Sequence, residues 1–187
     1  DERLGEEVDV SFLNLGDRPV LAYSLMALEA SPDIDQTIVV VPREQAEQVV
    51  TMSNMFGCSK LRKVASGTTR RASSLKAGLK ALDEDATMVV IQEVSRPFVT
   101  PEQISETVKA AKRYGCAVAA SRIDDSVKLT DKGLKVAGSI SDKTLWAMQS
   151  PQAYRLDVLE KALAQAEKKG WKVADEAEAV ERSKNPV

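Results

Sequence analysis

Met88-Val89-Val90-Ile91-Gln92-Glu93-Val94-Ser95-Arg96-Pro97-Phe98 is the stretch on which the reading of the fold turns. Its four leading apolar residues read as a strand buried on both faces, as in a parallel sheet. A carboxylate, a hydroxyl and an arginine follow, and Pro97 stops the strand. In open α/β sheets, ligands bind just beyond the carboxyl ends of the strands. Glu93 therefore stands where a metal ion could sit, and Arg96 where an anionic substrate could be held. Taken alone, the pair is more simply a surface ion pair at a strand end; its neighbours along the chain alter that balance.

Upstream, strand and helix patterns alternate. Arg18 to Ala30 reads as a helix with Leu21, Leu25 and Leu28 on one face. Thr37 to Val41 is a β-branched strand ended by Pro42, and Glu44 to Met55 is helical again. Leu61 to Ala65 reads as a strand, and Ser74 to Leu82 as a helix with Leu75, Leu79 and Leu82 aligned. Downstream, Thr100-Pro101-Glu102-Gln103 has the form of a helix start. Thr100 can cap, Pro101 suits the first turn, and Gln103 can complete a capping box. That helix should run to about Tyr114, with Gly115 as its terminator.

Cys116 to Ala120 reads as the next buried strand. The rhythm then breaks into a hairpin: Val127 to Leu129, a turn at Asp131-Lys132-Gly133, and Leu134 to Val136. Arg155 to Lys169 returns as an amphipathic helix with Leu156, Leu159 and Leu163, ended by Gly170. This order predicts an α/β three-layer sandwich with a mostly parallel sheet, one domain over residues 1–187. The hairpin region, about 123–150, is an inserted arm of the kind that can reach a partner subunit.

Composition narrows the chemistry. The 187 residues are 43% hydrophobic and 29% charged, with a net charge of −2, so no global field favours nucleic acid or membranes. No apolar run approaches the roughly 20 residues of a membrane span, and no secretory signal pattern is visible. With no methionine at Asp1, a cut or processed start is expected. Cys58 and Cys116 lack the paired spacing of a zinc site and suit a reducing compartment; Cys116 is expected in the core. There is no histidine, which removes every Ser-His-Asp, Cys-His and histidine-metal scheme. Carboxylates, hydroxyls, lysine, arginine and backbone amides remain. They suit metal-assisted phosphoryl or nucleotidyl transfer, where positioning and charge neutralisation dominate.

Four further stretches are polar where a site could form. Ser66-Gly67-Thr68-Thr69-Arg70-Arg71-Ala72-Ser73-Ser74 follows a strand and opens a helix, where glycine, hydroxyls and the helix N-terminus favour an anion. By itself it is more simply a solvated, capped loop, and it is not a Walker loop. Asp124-Asp125-Ser126-Val127-Lys128 reads as a polar turn entering the hairpin. Leu145-Trp146 to Ser150-Pro151-Gln152 reads as a core-anchored crossover, with Trp146 packing rather than stacking on a ligand. Asp175-Glu176-Ala177-Glu178 could bind metal, though a solvated acidic helix start is the default.

Together and in order, these pieces resemble the 2-C-methyl-D-erythritol 4-phosphate cytidylyltransferase family of the non-mevalonate isoprenoid pathway. Leu13-Asn14-Leu15-Gly16-Asp17-Arg18-Pro19-Val20-Leu21 is similar to the stretch leading into that family's first long helix. Gly67 to Leu79 resembles its Gly-Gly-x-x-Arg-x-x-Ser-Val-x-x-Gly-Leu motif through Arg71, Ser74, Gly78 and Leu79. Gln92 to Phe98 resembles its His-Asp-Ala-Ala-Arg-Pro-Phe tract. Asp125-Ser126-Val127-Lys128 is similar to its Asp-Thr-x-Lys, and Leu145-Trp146 through Ser150-Pro151-Gln152 to its Leu-Trp…Thr-Pro-Gln. Ala174-Asp175-Glu176-Ala177 is similar to its Thr-Asp-Asp/Glu-Ala.

The resemblance implies a Rossmann-like nucleotidyltransferase fold and a homodimer joined through the hairpin arm. It implies CTP and a sugar-alcohol phosphate as substrates, magnesium (Mg2+) as cofactor, and release of pyrophosphate. On it, Gly67, Thr68, Arg71 and Ser74 bind the nucleotide and Glu93 meets the metal. Arg96, Ser126, Lys143 and Ser150 hold the polyol phosphate, some of them across the dimer interface. Arg96 and Arg3, the latter in a triphosphate loop closing as Arg3-Leu4-Gly5, are the catalytic cations. The expected location is the cytoplasm, or the plastid stroma in a plastid-bearing organism. Neither nucleic acid nor membrane is implied as a partner.

The chain departs from the family pattern at several places. Gln92-Glu93 stands in place of the family's His-Asp, and a lysine-bearing C-terminal strand is expected to begin about where the chain stops at Val187. The family's Ala-Ala-Gly-x-Gly entry is absent ahead of Arg3, its Pro-Lys-Gln-Phe-Leu lysine falls on Val10, and an arginine before Leu-Trp falls on Asp142, beside Lys143. Three other readings go with these motifs: a ribitol-5-phosphate cytidylyltransferase, whose family shares them; a non-catalytic homologue that binds nucleotide or a protein partner, which Val10, Asp142 and the Gln92-Glu93 change favour; and a sugar-nucleotide transferase using another base.

Overall fold

The computed structural model describes residues 9–68 and 70–187. After a 3₁₀ turn at Val10–Phe12 come β1 (Asn14–Leu15), β2 (Arg18–Pro19), α1 (Val20–Ala30) and β3 (Thr37–Val41). A second 3₁₀ turn, Arg43–Gln45, leads into α2 (Ala46–Met55), then β4 (Leu61–Ser66), α3 (Arg71–Lys80) and β5 (Met88–Ile91). The remainder is α4 (Pro101–Tyr114), β6 (Cys116–Arg122), β7 (Lys128–Thr130), β8 (Val136–Ser139), a 3₁₀ turn at Asp142–Thr144, β9 (Trp146–Arg155), α5 (Leu156–Lys169) and α6 (Glu176–Arg182).

Local chemistry sets the boundaries. Thr100 Oγ1 accepts from the Gln103 amide at 3.3 Å and Gln103 Oε1 accepts from the Thr100 amide at 3.1 Å, the capping box read from sequence. Gly115, at φ +93°, closes α4, a left-handed conformation in which a side chain would be strained. Helix α1 begins at Val20, two residues later than expected, because Arg18 and Pro19 pair with Leu15 and Asn14. Helix α3 begins at Arg71, three residues earlier than expected, so Ser74 lies within its first turns.

The expected parallel arrangement holds between β3 and β4, which pair from Thr37↔Leu61 to Val41↔Ser66. The other main ladder is antiparallel: β9 runs between β5 and β6, pairing Met88↔Arg155 on one side and Cys116↔Tyr154 on the other. This ten-residue strand was read from sequence as a crossover. Its interrupted Met-Gln-Ser-Pro-Gln run hides the alternation that marks a strand, and only placement between two neighbours buries Ser150 and Gln152. Strand β5, expected to be fully buried, is half-buried along its length. A cavity of about 770 Å³ is lined by β3, β5, α1 and α3, and it leaves one side of β5 accessible.

Three apolar clusters hold the layers together. One packs α1 and α2 on β3 through Leu21, Leu25, Val39, Val49 and Met52. A second packs α5 and α6 on the β9 ladder through Cys116, Tyr154, Leu159, Ala162 and Val180. A third joins α4 to Ala27 and Ala153 through Ile104, Val108 and Ala111. Cys116 is in the core as expected, and burial, with a contribution from Asp175, pushes its thiol up to about 12. Trp146 corrects the sequence reading: it is 50% exposed, with the Arg122 guanidinium 5.3 Å from its ring centroid.

Strands β7 and β8 form the hairpin of the arm, paired from Lys128↔Ser139. Asp131 Oδ1 folds its turn by accepting from the amides of Gly133 and Lys135 at 2.8 and 2.9 Å. Leu129, Leu134, Val136 and Trp146 are exposed on the arm. Among the described residues, no helix is long and apolar enough to cross a membrane.

Candidate active site

Where β5 ends, Gln92 to Arg96 form a turn closed by the Arg96 amide donating to the Glu93 carbonyl at 3.1 Å. The Gln92 side-chain amide clasps this turn, donating to the carbonyls of Glu93 and Arg96 at 2.9 and 3.0 Å. Within the turn, Arg96 Nε donates to Glu93 Oε2 at 3.0 Å. From α3, Arg71 Nη1 donates to the other oxygen, Oε1, at 2.9 Å. The Glu93 amide donates to Ser150 Oγ of β9 at 3.2 Å, and Arg96 Nη2 lies 3.5 Å from the Met148 carbonyl. Glu93, Arg71, Arg96 and Ser150, read as site residues from three separate stretches, therefore converge.

Burial pulls the Glu93 carboxyl upward, but the hydrogen bonds and positive charges of Arg96 and Arg71 outweigh it and hold the group below the usual carboxylate range. Its folded value is depressed, so the stability from its pairing is present at neutral pH. That stability is lost as pH falls through the depressed value.

The loop after β4 approaches this cluster from the side. A side chain at Gly67 would have its Cβ 2.9 Å from both Ser74 Oγ and Val40 Cγ1, so only glycine fits. Ser74 Oγ accepts from the Thr68 amide at 3.0 Å and donates to the Thr68 carbonyl at 2.8 Å, pinning the loop to the first turns of α3. Thr68 Oγ1 in turn accepts from the Arg70 amide at 3.2 Å. Thr68 and Ser74 are thus one hydrogen-bonded unit against which Gly67 packs, its own amide donating to the Val41 carbonyl at 2.8 Å, and Arg71, the first residue of α3, connects the unit to Glu93.

Arg71 also turns toward α6. Its Nε lies 3.1 and 3.2 Å from the two oxygens of Glu176, and its Nη2 donates to Oε2 at 2.7 Å. Glu176 is 4% exposed and follows Asp175, whose carboxylate caps α6 by accepting from the Glu178 amide. Hydrogen bonds to Glu176, opposed by burial and aided by both carboxylates, raise the Arg71 pKa, so its guanidinium is permanently charged. Glu176 is therefore not the solvated helix start expected from sequence. The signal was its spacing: it lies three and four residues before Ala179 and Val180, both fully buried, on the same helical face.

Gln92, quoted from sequence only as part of the tract beyond β5, clasps the turn, and nothing in its residue type announces that contact. Gln92→Leu is expected to lower turnover about tenfold through a looser Glu93–Arg96 turn, the scale of one or two net hydrogen bonds. Steady-state kinetics with the fold monitored by circular dichroism checks it; wild-type turnover would contradict the clasp. Ser126, in the loop before β7, and Lys143, in the last 3₁₀ turn, are exposed on the arm and form no hydrogen bond with the cluster among the described residues. Arg3 lies outside the described residues. Val10 opens the first 3₁₀ turn, capped by Asp9, and brings no cation there.

Among the described residues, no three Asp, Glu or Cys side chains gather as a closed metal cage. Magnesium rarely needs one: it is commonly held by one or two carboxylates, waters and substrate phosphates. An ionised, oriented Glu93 fits that donor chemistry, because each of its oxygens keeps a further lone pair beyond its arginine bond.

The architecture is the Rossmann-like nucleotidyltransferase fold. A crystal structure of 4-diphosphocytidyl-2C-methyl-D-erythritol synthase from Anaerococcus prevotii is similar with a TM-score of 0.85, covering 97% of this chain and 79% of that one at 24% identity. The 2-C-methyl-D-erythritol 4-phosphate cytidylyltransferase of Thermus thermophilus is similar with a TM-score of 0.78, covering 95% and 80% at 24% identity. In sequence, proteins named 2-C-methyl-D-erythritol 4-phosphate cytidylyltransferase are similar throughout. That of Desulforamulus reducens is 37% identical, covering 99% of this chain and 80% of the relative. That of Pelotomaculum thermopropionicum is 34% identical, covering 99% and 78%. The chain belongs to the 2-C-methyl-D-erythritol 4-phosphate cytidylyltransferase (IspD) family, whose model matches residues 1–187.

Proposed function

We propose that this chain joins CTP to 2-C-methyl-D-erythritol 4-phosphate, giving the CDP-linked polyol and pyrophosphate in isoprenoid precursor biosynthesis. The observation that carries the reading is the Glu93–Arg96 pair beyond β5, in a chain that matches the family over its whole length. A phosphate oxygen of the polyol attacks the α-phosphorus of CTP. The bond from that phosphorus to the oxygen bridging to the β-phosphorus breaks, and pyrophosphate leaves. Gly67, Thr68 and Ser74 cradle the nucleotide, with Arg71 behind them, and Arg3 contributes charge to the triphosphate. Glu93 would hold magnesium, which when bound would supply neutralisation of the phosphate charge.

Arg96, Ser150, Ser126 and Lys143 receive the polyol phosphate. Ser126 and Lys143 sit on the arm, away from the cluster of their own chain, which favours their serving the site of a second copy. The exposed apolar side chains of the arm support a homodimer, since such patches mark interfaces. The net charge and the free, buried cysteines suit a cytoplasmic enzyme.

Arg96→Ala tests the acceptor assignment. A charge-assisted hydrogen bond contributes about 1.5–3 kcal/mol, so the KM for the polyol phosphate should rise about ten- to hundredfold. CTP affinity, read by calorimetry, should change less than about threefold. Equal loss for both substrates would contradict the assignment.

A further inference from the structure

Glu93 takes one guanidinium on each oxygen, and only one of those cations belongs to its own turn. The other, Arg71, reaches it from α3 while gripping Glu176 of α6 with Nε and Nη2. The four side chains form a chain in space, Glu176–Arg71–Glu93–Arg96, across segments 22 and 105 residues apart in sequence. Only its α6 end is buried: the side chains of Arg96, Glu93 and Arg71 are 32%, 27% and 43% exposed, that of Glu176 5%.

We propose that Arg71 and Glu176 are positioning residues, which fix the place and orientation of the Glu93 carboxylate before any ligand arrives. A buried carboxylate must be paired, and among the described residues Arg71 is the one cation on Glu176. With Nε and Nη2 so held, the rigid plane of the guanidinium decides where Nη1 points, and Nη1 points at Glu93 Oε1. Arg71 spends donors from all three of its nitrogens on two carboxylates, so it has few left for a phosphate. Its contribution to the nucleotide is therefore indirect, through Glu93. This inference rests on the reading of Glu93 as the group that meets the magnesium–nucleotide complex.

The test is the double variant Arg71→Met with Glu176→Met. Removing a buried pair together leaves no unpaired charge and commonly preserves the fold, whereas removing one partner does not. Two readouts are independent of turnover: hydrogen exchange of the Glu93–Arg96 turn amides in the ligand-free protein, and calorimetric binding of CTP as a function of magnesium without acceptor. With the fold retained, turn exchange should quicken at least tenfold, and half-saturating magnesium should rise about tenfold. A folded double variant with wild-type exchange and magnesium dependence would overturn the proposal, leaving the pair as a fastening for α6.

Should the double variant not fold, Arg71→Lys decides. It keeps a cation for Glu176 but has no fork to reach Glu93 as well, so both readouts should move in the same direction. Unchanged values would overturn the proposal. If the wild-type chain binds no magnesium–CTP, the functional reading fails, and the exchange experiment still decides whether Arg71 and Glu176 order the turn.

Discussion

Glu93→Gln is expected to lower kcat/KM about 10²–10³-fold while leaving the protein folded. The substitution keeps the size of the side chain and one oxygen acceptor but removes the charge. Glu93 sits between Arg71 and Arg96 with both oxygens engaged, so the neutral amide must present its NH₂ to one of two cations. The turn then loses its anchoring on one side, and the hard anionic donor that suits magnesium is gone. Loss of one preorganised electrostatic contact to a developing transition-state charge is of this size. Both arginines are solvent-accessible, 43% and 32% exposed, so unpairing them costs the fold little. The signature is a large fall in turnover and a raised magnesium requirement at a nearly unchanged melting temperature. Activity within threefold of wild type, at unchanged magnesium dependence, would remove Glu93 from the site.

Leu159→Ala should destabilise the fold by about 3 kcal/mol, within the range measured for burying and then deleting a leucine side chain. Leu159 is fully buried on α5, in the cluster with Cys116, Tyr154 and Val180 that ties α5 and α6 to β9. Against a total stability of about 5–15 kcal/mol, this is a large share, because three elements close around one side chain and cannot all collapse into the space it leaves. Urea denaturation should show a lower midpoint at an unchanged slope. A loss under 1 kcal/mol would mean that the α5–β9 contact is looser than its burial indicates.

The legible parts of the fold were those written in local chemistry. The β-branched run of β3, the capping box of α4 and the glycine stops at Gly115 and Gly170 each declare themselves within a few residues. Strand β9 did not, because its polar and proline-containing middle becomes strand-like only when β5 and β6 flank it. The same division runs through the site. Glu93 and Arg96 are neighbours in sequence beyond a strand end, and their pairing could be expected. The bridge from Arg71 to Glu176 spans 105 residues, and no local pattern records it. Gln92 was hidden differently: its clasp depends on the shape of a turn, and an amide side chain is compatible with many shapes.

Pyrophosphate release with CTP and magnesium, comparing 2-C-methyl-D-erythritol 4-phosphate with ribitol 5-phosphate as acceptors, tests the central claim most directly. Turnover with the methylerythritol phosphate, in at least tenfold preference to ribitol phosphate, is the predicted result. It would also establish that Val10 is compatible with catalysis. Preference for ribitol phosphate would contradict the substrate, and silence with both acceptors from the folded protein would contradict the enzyme.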